Sequence, residues 1–495
     1  MTLNRLIVYS VYSLPHMVVY WLYAGIMIAQ GIYAKYFGVG LTAIAAVLLI
    51  ARLFDAVSDP VIGFLSDLQR RRWGTRKPMM IAGGLLILVA AYFLFVPMGV
   101  DVAGVSAGQA QAKVGIVYFA FFFILYYLAM TLFEMPHLAW AGELAPGSRD
   151  KTTIYGVRGA WGKLGSLLFY AIPLLPFLSS REITPQTLQL SVLLAGAIML
   201  PALFFMAVST PNGAEPVARP SRGSRRHVVS DIRLLVRSVA NNRPLLIFVL
   251  VYLSSGIAMG VWISLLFIYV DTYLGLGEYF AQASLAGSIA ALAAVPIYIA
   301  LGQHFDKKWV WFGGKALHLV TVLVVGLLTP ENTTGHILTA LLIVQSAAIA
   351  CSPILGPAIM SEIADYGALK SREEHTASYF SVYVFSLKLT YAFGGAIGLG
   401  VAGLFGFDPS LTQHTAHSVL GLKLAVAVIP TVLLLVGLVF TAALPIDNRR
   451  HAIIRKRLDQ RRERLGRTGV AAATQPARAA AGWRAAPGRG RESQA

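Results

Sequence analysis

The sequence is poor in charge and in cysteine, and each shortage excludes a class of protein. Only 13% of its 495 residues are charged, whereas a soluble globular chain carries roughly a quarter. The hydrophobic share is 57% and the mean hydropathy is +0.66, so most of the chain must face lipid or other apolar helices. The single cysteine, Cys351, excludes an intrachain disulfide.

Motifs of ATP-driven pumps and of two enzyme classes are also missing. The sequence has no G-x-x-x-x-G-K-[ST] loop, so primary transport would need a separate ATPase subunit. It has no H-E-x-x-H zinc motif. Its one G-x-S-x-G match, Gly104 to Gly108, falls in a predicted loop without the strand-to-helix context of a serine nucleophile. We therefore predict that the chain is not an enzyme and that it uses no cofactor.

What the sequence has in abundance is long apolar runs. A membrane-spanning helix needs about 20 mostly apolar residues. Windows of that length predict twelve spans, at about 8–35, 40–68, 78–99, 113–142, 153–180, 187–208, 244–272, 279–302, 309–329, 336–364, 376–405 and 415–445. The spans divide the chain into an N-terminal six-helix half over 1–209, a basic linker over 210–243, a C-terminal six-helix half over 244–445 and a basic tail over 446–495.

The net charge of +18 is explained by where the basic residues lie. Most of the 41 Lys and Arg residues fall in loops on the side of the N-terminus, while the loops on the other side hold only Lys35, Lys113 and Arg181. By the positive-inside rule both termini are cytoplasmic. This pattern favours anionic lipid over nucleic acid as the partner of the basic segments.

The two halves repeat a short pattern. Gly63 to Asp67, followed by Arg70 to Arg72, ends the second span, and Gly302 to Asp306, followed by Lys307 and Lys308, ends the eighth. Two repeated six-helix halves are the architecture of the major facilitator superfamily. We therefore predict an all-α membrane protein with that fold. Four residues of the repeats are expected to gate its cytoplasmic side: Asp67, Arg71, Asp306 and Lys307.

Charges inside the predicted spans mark candidate sites, because a charged side chain at the bilayer centre costs about 2.5–3.5 kcal/mol on insertion scales. Asp55 and Asp59 are four residues apart and project from one helical face. Two carboxylates so close favour a cation between them, either H⁺ or Na⁺. Ser58 and Thr131 could add hydroxyl ligands. Lys388, in the other half, reduces the net charge of this set to that of one carboxylate.

Other intramembrane residues are further candidates. Arg52 lies three residues before Asp55 and is a candidate for coupling. Tyr20, Trp21 and Tyr23 could form an aromatic wall for a solute, although helix packing is the commoner role of such residues. Glu134 and Arg158 are equally consistent with a solute site and with a structural pair. Lys163, Lys315 and Lys423 also lie within predicted spans, and we expect them near the membrane edges.

The stretch Arg52-Leu-Phe-Asp-Ala-Val-Ser-Asp-Pro-Val-Ile-Gly63 resembles the signature of the glycoside–pentoside–hexuronide:cation symporter family. Glu134-Met-Pro136 and Ile363 to Gly367 are similar to two further motifs of that family. The resemblance implies a cation site at Asp55, Asp59 and Thr131, an intramembrane lysine at Lys388, and a sugar pocket at Glu134 and Arg158.

This sequence also departs from the family pattern. Ser58 replaces an asparagine that favours sodium, so the resemblance does not decide between H⁺ and Na⁺. Val19, Leu138 and Pro353 fall at positions where a polar or aromatic sugar-binding residue is expected. The cation site matches the family better than the solute pocket does.

We therefore predict cation-coupled symport of a small solute, most simply a sugar or glycoside, by a multi-pass protein of a bacterial inner membrane. A lysolipid or other amphiphile, or an exported compound, remains the alternative substrate. A non-transporting scaffold is disfavoured by the intramembrane charges. The sequence leaves the oligomeric state open and favours a monomer.

Overall fold

The computed structural model of the chain describes residues 3–102, 114–145, 148–176, 178, 180–212, 241–371, 376–458 and 460–461. Most of the predicted linker, the tail beyond residue 461 and the loop around Gly104 to Gly108 lie outside these residues. The side chain of Lys388 also lies outside what the structure describes, although its backbone belongs to a helix.

The described residues form long helices that coincide with the twelve predicted spans. The first six are α1 Leu3–Phe37, α2 Leu41–Trp73, α3 Lys77–Phe95, α4 Ile116–Leu144, α5 Ser148–Ala171 and α6 Pro185–Ser209. The next three are α7 Arg243–Ile268, which continues as a π-turn over Tyr269–Tyr273, α8 Gly277–His304 and α9 Lys307–Leu327. The last three are α10 (Gly335–Ile349 and Cys351–Ser371), α11 Thr376–Leu404 and α12 (Ala416–Lys423, a π-turn at Leu424–Val428, and Ile429–Ala442).

Eleven of these helical segments are both long and apolar enough to cross a membrane. The exception among the predicted spans is α5, whose first two turns and middle carry charged residues. At about 1.5 Å per residue its 24 residues are still long enough to span the apolar core. Large side chains such as Val117, Leu327 and Leu404 are 79%, 73% and 79% exposed, as expected for a surface that contacts lipid.

Local sequence signals explain where the helices begin and end. Gly74 ends α2 in the left-handed conformation, with φ at 70°, which a residue without a Cβ adopts readily. Thr184 and Thr187 form a capping box at the start of α6. Asp306 caps α9 by accepting a hydrogen bond from the Lys308 N–H.

Small residues let helices approach closely within each half. A Cβ at Gly83 of α3 would lie 2.7 Å from the backbone nitrogen of Phe133 in α4. A Cβ at Gly260 of α7 would lie 2.7 Å from the carbonyl oxygen of Tyr391 in α11. Glycine at such crossings avoids this clash and lets the two backbones pack closely. Close packing at small residues is how helices associate in lipid.

The two halves are held together at the end of the bundle opposite the termini, which we call the outer end. There Lys35 of α1 donates a 2.7 Å hydrogen bond to the buried carboxylate of Asp271, which follows α7. Tyr170 of α5 meets Phe280 of α8 with ring centroids 6.4 Å apart. At the terminus-bearing end, the described ion pairs each join helices of one half. The described contacts therefore close the outer end.

Candidate functional site

A cavity of about 300 Å³ lies between α1, α2, α4 and α11. A volume of this size is at the lower limit for a small-molecule site. Its lining residues are Tyr20, Tyr23, Arg52, Asp55, Asp59, Tyr127, Met130, Thr131, Glu134, Met135, Val384, Leu387 and Tyr391. We call it the acidic cavity, because three carboxylates line it. Six of the ten residues predicted for cation binding, coupling and solute binding line it: Tyr20, Arg52, Asp55, Asp59, Thr131 and Glu134.

The predicted carboxylate pair lies on one face of α2. Asp55 is buried, and Arg52 Nη1 approaches its Oδ2 at 3.4 Å from the preceding turn. Arg52 Nη2 also donates to the Tyr127 hydroxyl at 2.9 Å, and its guanidinium carbon lies 4.3 Å from the centroid of that ring. Thr131 of α4 donates its hydroxyl to Asp59 Oδ1 at 3.0 Å. The structure thus brings Thr131 to the carboxylate pair, at the place where a cation ligand was predicted.

Ser58 is placed differently from the prediction. Its hydroxyl turns back to the carbonyl oxygen of Asp55, 3.4 Å away, and Ser58 does not line the acidic cavity. A serine in a helix interior often bonds to a carbonyl of its own turn in this way. In this conformation Ser58 supports the backbone beside the carboxylates and not the site itself.

Glu134 and Arg158 form an ion pair at the edge of the acidic cavity, and two histidines extend it. His16 Nδ1 lies 2.8 Å from Glu134 Oε1, and Arg158 Nε donates to His137 Nδ1 at 3.1 Å. The sequence analysis named neither histidine. His137 follows Glu134 by three residues, so its place on the same helical face was the one available signal.

The geometry of His137 assigns its tautomer. Nδ1 accepts a hydrogen bond from Arg158, and Nε2 lies 3.0 Å from the carbonyl oxygen of Tyr12, which can only accept. The ring is therefore neutral, with its proton on Nε2. It also stacks on the Tyr12 ring at 4.0 Å between centroids. This arrangement fixes Arg158 against Glu134 without adding a charge.

Two of the three aromatic residues proposed as a solute wall line the acidic cavity. Tyr20 lines the acidic cavity and stands 4.5 Å from His16 between ring centroids. Trp21 points the other way: it is 4% exposed, and its indole N–H donates to Ser191 of α6 at 2.9 Å. The structure thus uses Trp21 in helix packing. Tyr23, in contrast, reaches the cavity wall.

Two of the four predicted gating residues, Asp67 and Lys307, belong to separate ion-pair networks at the terminus-bearing end. Asp67 pairs with Arg76 at 2.6 Å, and Arg76 also contacts Glu143 at 3.0 Å. Arg71, which was predicted to take part, is exposed and has no described ion pair. In the C-terminal half Asp306 serves as a helix cap.

The second network is built around Lys307, which pairs with Glu362 at 2.7 Å. Asp365 accepts a 2.9 Å contact from His451, just beyond α12. Each network ties helices within its own half, so neither is a latch between the halves in this conformation. A gating role for these residues remains a prediction.

Comparison with known proteins agrees with this architecture. The sequence profile of the family described as MFS/sugar transport protein matches residues 8–448. The chain belongs to this family. The MFS/sugar transport family consists of membrane transporters, so the resemblance noted from the Asp55 and Asp59 motif is confirmed.

Two relatives and one solved structure illustrate the range of this family and fold. The chain is 24% identical to the putative glycoside/cation symporter YagG of Escherichia coli, over 89% of this chain and 92% of the relative. It is 23% identical to the human sodium-dependent lysophosphatidylcholine symporter 1, over 88% and 82% of the two chains. Its fold is similar to that of the D-xylose-proton symporter, with a TM-score of 0.62 at 13% identity, covering 88% of this chain and 96% of that one.

These findings establish the chain as an integral multi-pass membrane protein and a secondary transporter with the major facilitator fold. The orientation of the termini and the half boundaries remain predictions.

Proposed function

We propose that this protein couples the movement of a sugar or glycoside to one monovalent cation, H⁺ or Na⁺, held by Asp55 and Asp59. The observation that carries the proposal is the geometry of that pair. The two carboxylates are one helical turn apart in a single cavity, with the Thr131 hydroxyl 3.0 Å from Asp59. Oxygen ligands of this kind suit a hard cation.

Repulsion within the carboxylate pair favours a bound monovalent cation. Two carboxylates one helical turn apart in a buried site are costly unless a cation lies with them. A proton and a sodium ion relieve this repulsion equally, so the pair predicts the charge of the cation and not the element.

Solute recognition is assigned to the other side of the same cavity. Glu134 and Arg158 offer a carboxylate and a guanidinium to sugar hydroxyls, and Tyr20 offers an aromatic face. A site of this kind pairs a few placed polar groups with apolar walls. Because the cation and the solute would share one cavity, each would raise the affinity of the other by the same factor.

Transport then requires the cavity to face each side of the membrane in turn. The Lys35–Asp271 pair closes the outer end in this conformation. With cytoplasmic termini, as the distribution of basic residues predicts, this conformation faces inward. Rocking of one half against the other would break the pair and expose the cavity outward.

An amphiphilic solute is the second candidate, and one observation favours it. Met130, Met135, Val384 and Leu387 make much of the cavity wall apolar. Flexible methionine side chains adapt to irregular apolar ligands. An exported compound would use the same site with the opposite direction of net flux.

The proposal is tested with purified protein in proteoliposomes. Radiolabelled glycosides, pentoses and a lysophospholipid are offered under an imposed pH gradient or an imposed sodium gradient. We expect uphill accumulation of one solute under one gradient, and its loss in Asp59→Asn. Asp408→Asn makes the same chemical change in the loop between α11 and α12 and should transport normally. The proposal is contradicted if accumulation depends on neither gradient, or if the Asp59→Asn variant accumulates the solute normally.

A further inference from the structure

A second cavity, of about 200 Å³, lies wholly within the C-terminal half. We call it the basic cavity. Its polar lining residues are Tyr252, Ser255, Lys315, His318, Cys351, Ser352, Tyr383 and Tyr391. Lys315 was expected at a membrane edge, and the structure corrects this: the residue is 4% exposed in the middle of α9. By contrast, Lys423 lies near the outer end, 5.7 Å from the Tyr273 ring centroid.

Lys315 is held by neutral groups. Its Nζ donates to the Ser255 hydroxyl at 2.8 Å and lies 4.1 Å from the Trp311 ring centroid. Among the residues that the structure describes, no carboxylate lies within 4.0 Å of this nitrogen. A hydroxyl and an aromatic face do not neutralise a buried ammonium group, whose burial is costly without an opposite charge.

A second polar group beside Lys315 also lacks a partner. His318 follows one turn later on α9 and is 7% exposed. Its Nε2 is buried and has no hydrogen-bond partner in the described part of the chain. Buried polar atoms are nearly always satisfied, so an ammonium group without an opposite charge and an imidazole nitrogen without a partner indicate a missing group in this cavity. An anion supplies both needs: it neutralises Lys315, and it accepts from His318 in the tautomer that carries its proton on Nε2.

We propose that the basic cavity binds an anionic group of the transported solute, either a carboxylate or a phosphate. This rests on the proposed function and narrows its substrate to an anionic solute. Leu387 and Tyr391 of α11 line both cavities, so the two are neighbours. One solute can then place its neutral polar part in the acidic cavity and its anionic group against Lys315.

The proposal also predicts the charge that moves. One monovalent cation would bind in the acidic cavity and one anionic group of the solute in the basic cavity. With a carboxylate as that group, a cycle that moves both is electroneutral. Uptake should therefore respond to the ion gradient and to the solute gradient, but not to the membrane potential alone.

The sole cysteine provides a direct probe, since Cys351 lines the basic cavity. Detergent-solubilised protein is treated with an anionic or a cationic methanethiosulfonate reagent. The rate at which each reagent labels Cys351 is divided by the rate at which the same reagent reacts with a free thiol in solution. We expect the anionic reagent to be favoured by about 10-fold, because a charged cleft concentrates the opposite charge. Lys315→Met should abolish the preference, Lys315→Arg should keep it, and the control Lys423→Met should leave it unchanged.

Added anions that slow the labelling of Cys351 show which kind of anionic group the cavity binds. D-glucuronate and glycerol 3-phosphate are compared with D-glucose, which matches glucuronate in shape without the charge. Protection by glucuronate assigns a carboxylate, and protection by glycerol phosphate assigns a phosphate.

Several results would overturn the site. These are equal corrected rates for the two charged reagents, a preference that survives Lys315→Met, no reaction with either charged reagent, and a preference without protection by either anion. Because labelling uses no ion gradient, it can succeed while the uptake test fails, and the reverse. If Lys315→Met does not fold, Lys315→Arg still tests the site, because it keeps the positive charge and should keep the preference.

Discussion

The acidic and basic cavities differ in how their charges are balanced. In the acidic cavity each described cation has a carboxylate beside it: Arg52 meets Asp55, and Arg158 meets Glu134. In the basic cavity the described contacts of the Lys315 ammonium group are a hydroxyl and aromatic rings. Charges that are already paired define a site which needs little more than one small ion. A charge that is not paired defines a site which is completed by its ligand.

The largest expected effect is on gradient-driven uptake, and it distinguishes the functions of the two cavities. Asp55→Asn should reduce gradient-driven uptake by about 100-fold, the upper range of coupling between two ligands. The same variant should leave the anionic preference at Cys351 intact, because Asp55 does not line the basic cavity. Uptake and thiol labelling on one preparation measure both. Normal uptake in Asp55→Asn would show that the cation site is elsewhere.

A stability comparison tests the difference in pairing. Arg158→Met leaves Glu134 buried beside His16 alone and should lower the free energy of unfolding by about 3 kcal/mol, since breaking a buried pair exposes an uncompensated charge. Lys315→Met removes a charge without a carboxylate partner among the described residues, so stability should stay within about 1 kcal/mol or rise.

Thermal unfolding of both variants in detergent measures this difference. Equal losses of stability in the two variants would mean that Lys315 has a structural counter-ion and would remove the distinction between the cavities.

A third, smaller effect is expected on the population of the conformation in which the outer end is closed. Lys35→Met leaves the Asp271 carboxylate buried without its cation and should favour the conformation that opens the outer end. A coupling of 1–3 kcal/mol between site and conformation corresponds to roughly 5–150-fold in population. Distances between spin labels across the outer end measure the shift. Lys423→Met, near the same end, is the matched control, and an equal shift in both would argue against the specific pair.

The smallest effect concerns pH at the outer end. Glu182, in the loop before α6, is partly buried, and this burial raises the pKa of its carboxyl group; Asp271 and Glu278 add to the rise, while Lys35 opposes it. A raised pKa means that the closed conformation binds the proton more tightly. Acidification through that range should therefore favour closure, and alkalinisation should relax it.

Glu182→Gln should remove this pH dependence from the spin-label distances while leaving closure itself in place. A pH response that persists in Glu182→Gln would assign it to another group.

Sequence reasoning predicted the spans and the shared helical face of Asp55 and Asp59, because both follow from local rules. Apolar runs of spanning length mark the helices, and a spacing of four residues places Asp55 and Asp59 on one face. Trp21 could not accompany Tyr20 into the cavity, since adjacent residues on a helix point about 100° apart. That error was avoidable from geometry alone.

Other features depend on tertiary structure and were not accessible. Arg76, not Arg71, pairs with Asp67, because the chain turns at Gly74 and returns across it. His16 meets Glu134 from a helix more than a hundred residues away in sequence. The place of Lys315 also required the fold, since a lysine in an apolar run has the same sequence signature whether it reaches the surface or a cavity.

The most direct test of cation coupling runs the carrier in reverse. Proteoliposomes receive a gradient of the accumulated solute, and the uptake of ²²Na⁺ or of protons is followed without any imposed ion gradient. If Asp55 and Asp59 couple one cation to one solute, the solute gradient will drive that cation uphill, and Asp59→Asn will abolish its movement. Solute flow through the unchanged protein without cation movement would contradict the account.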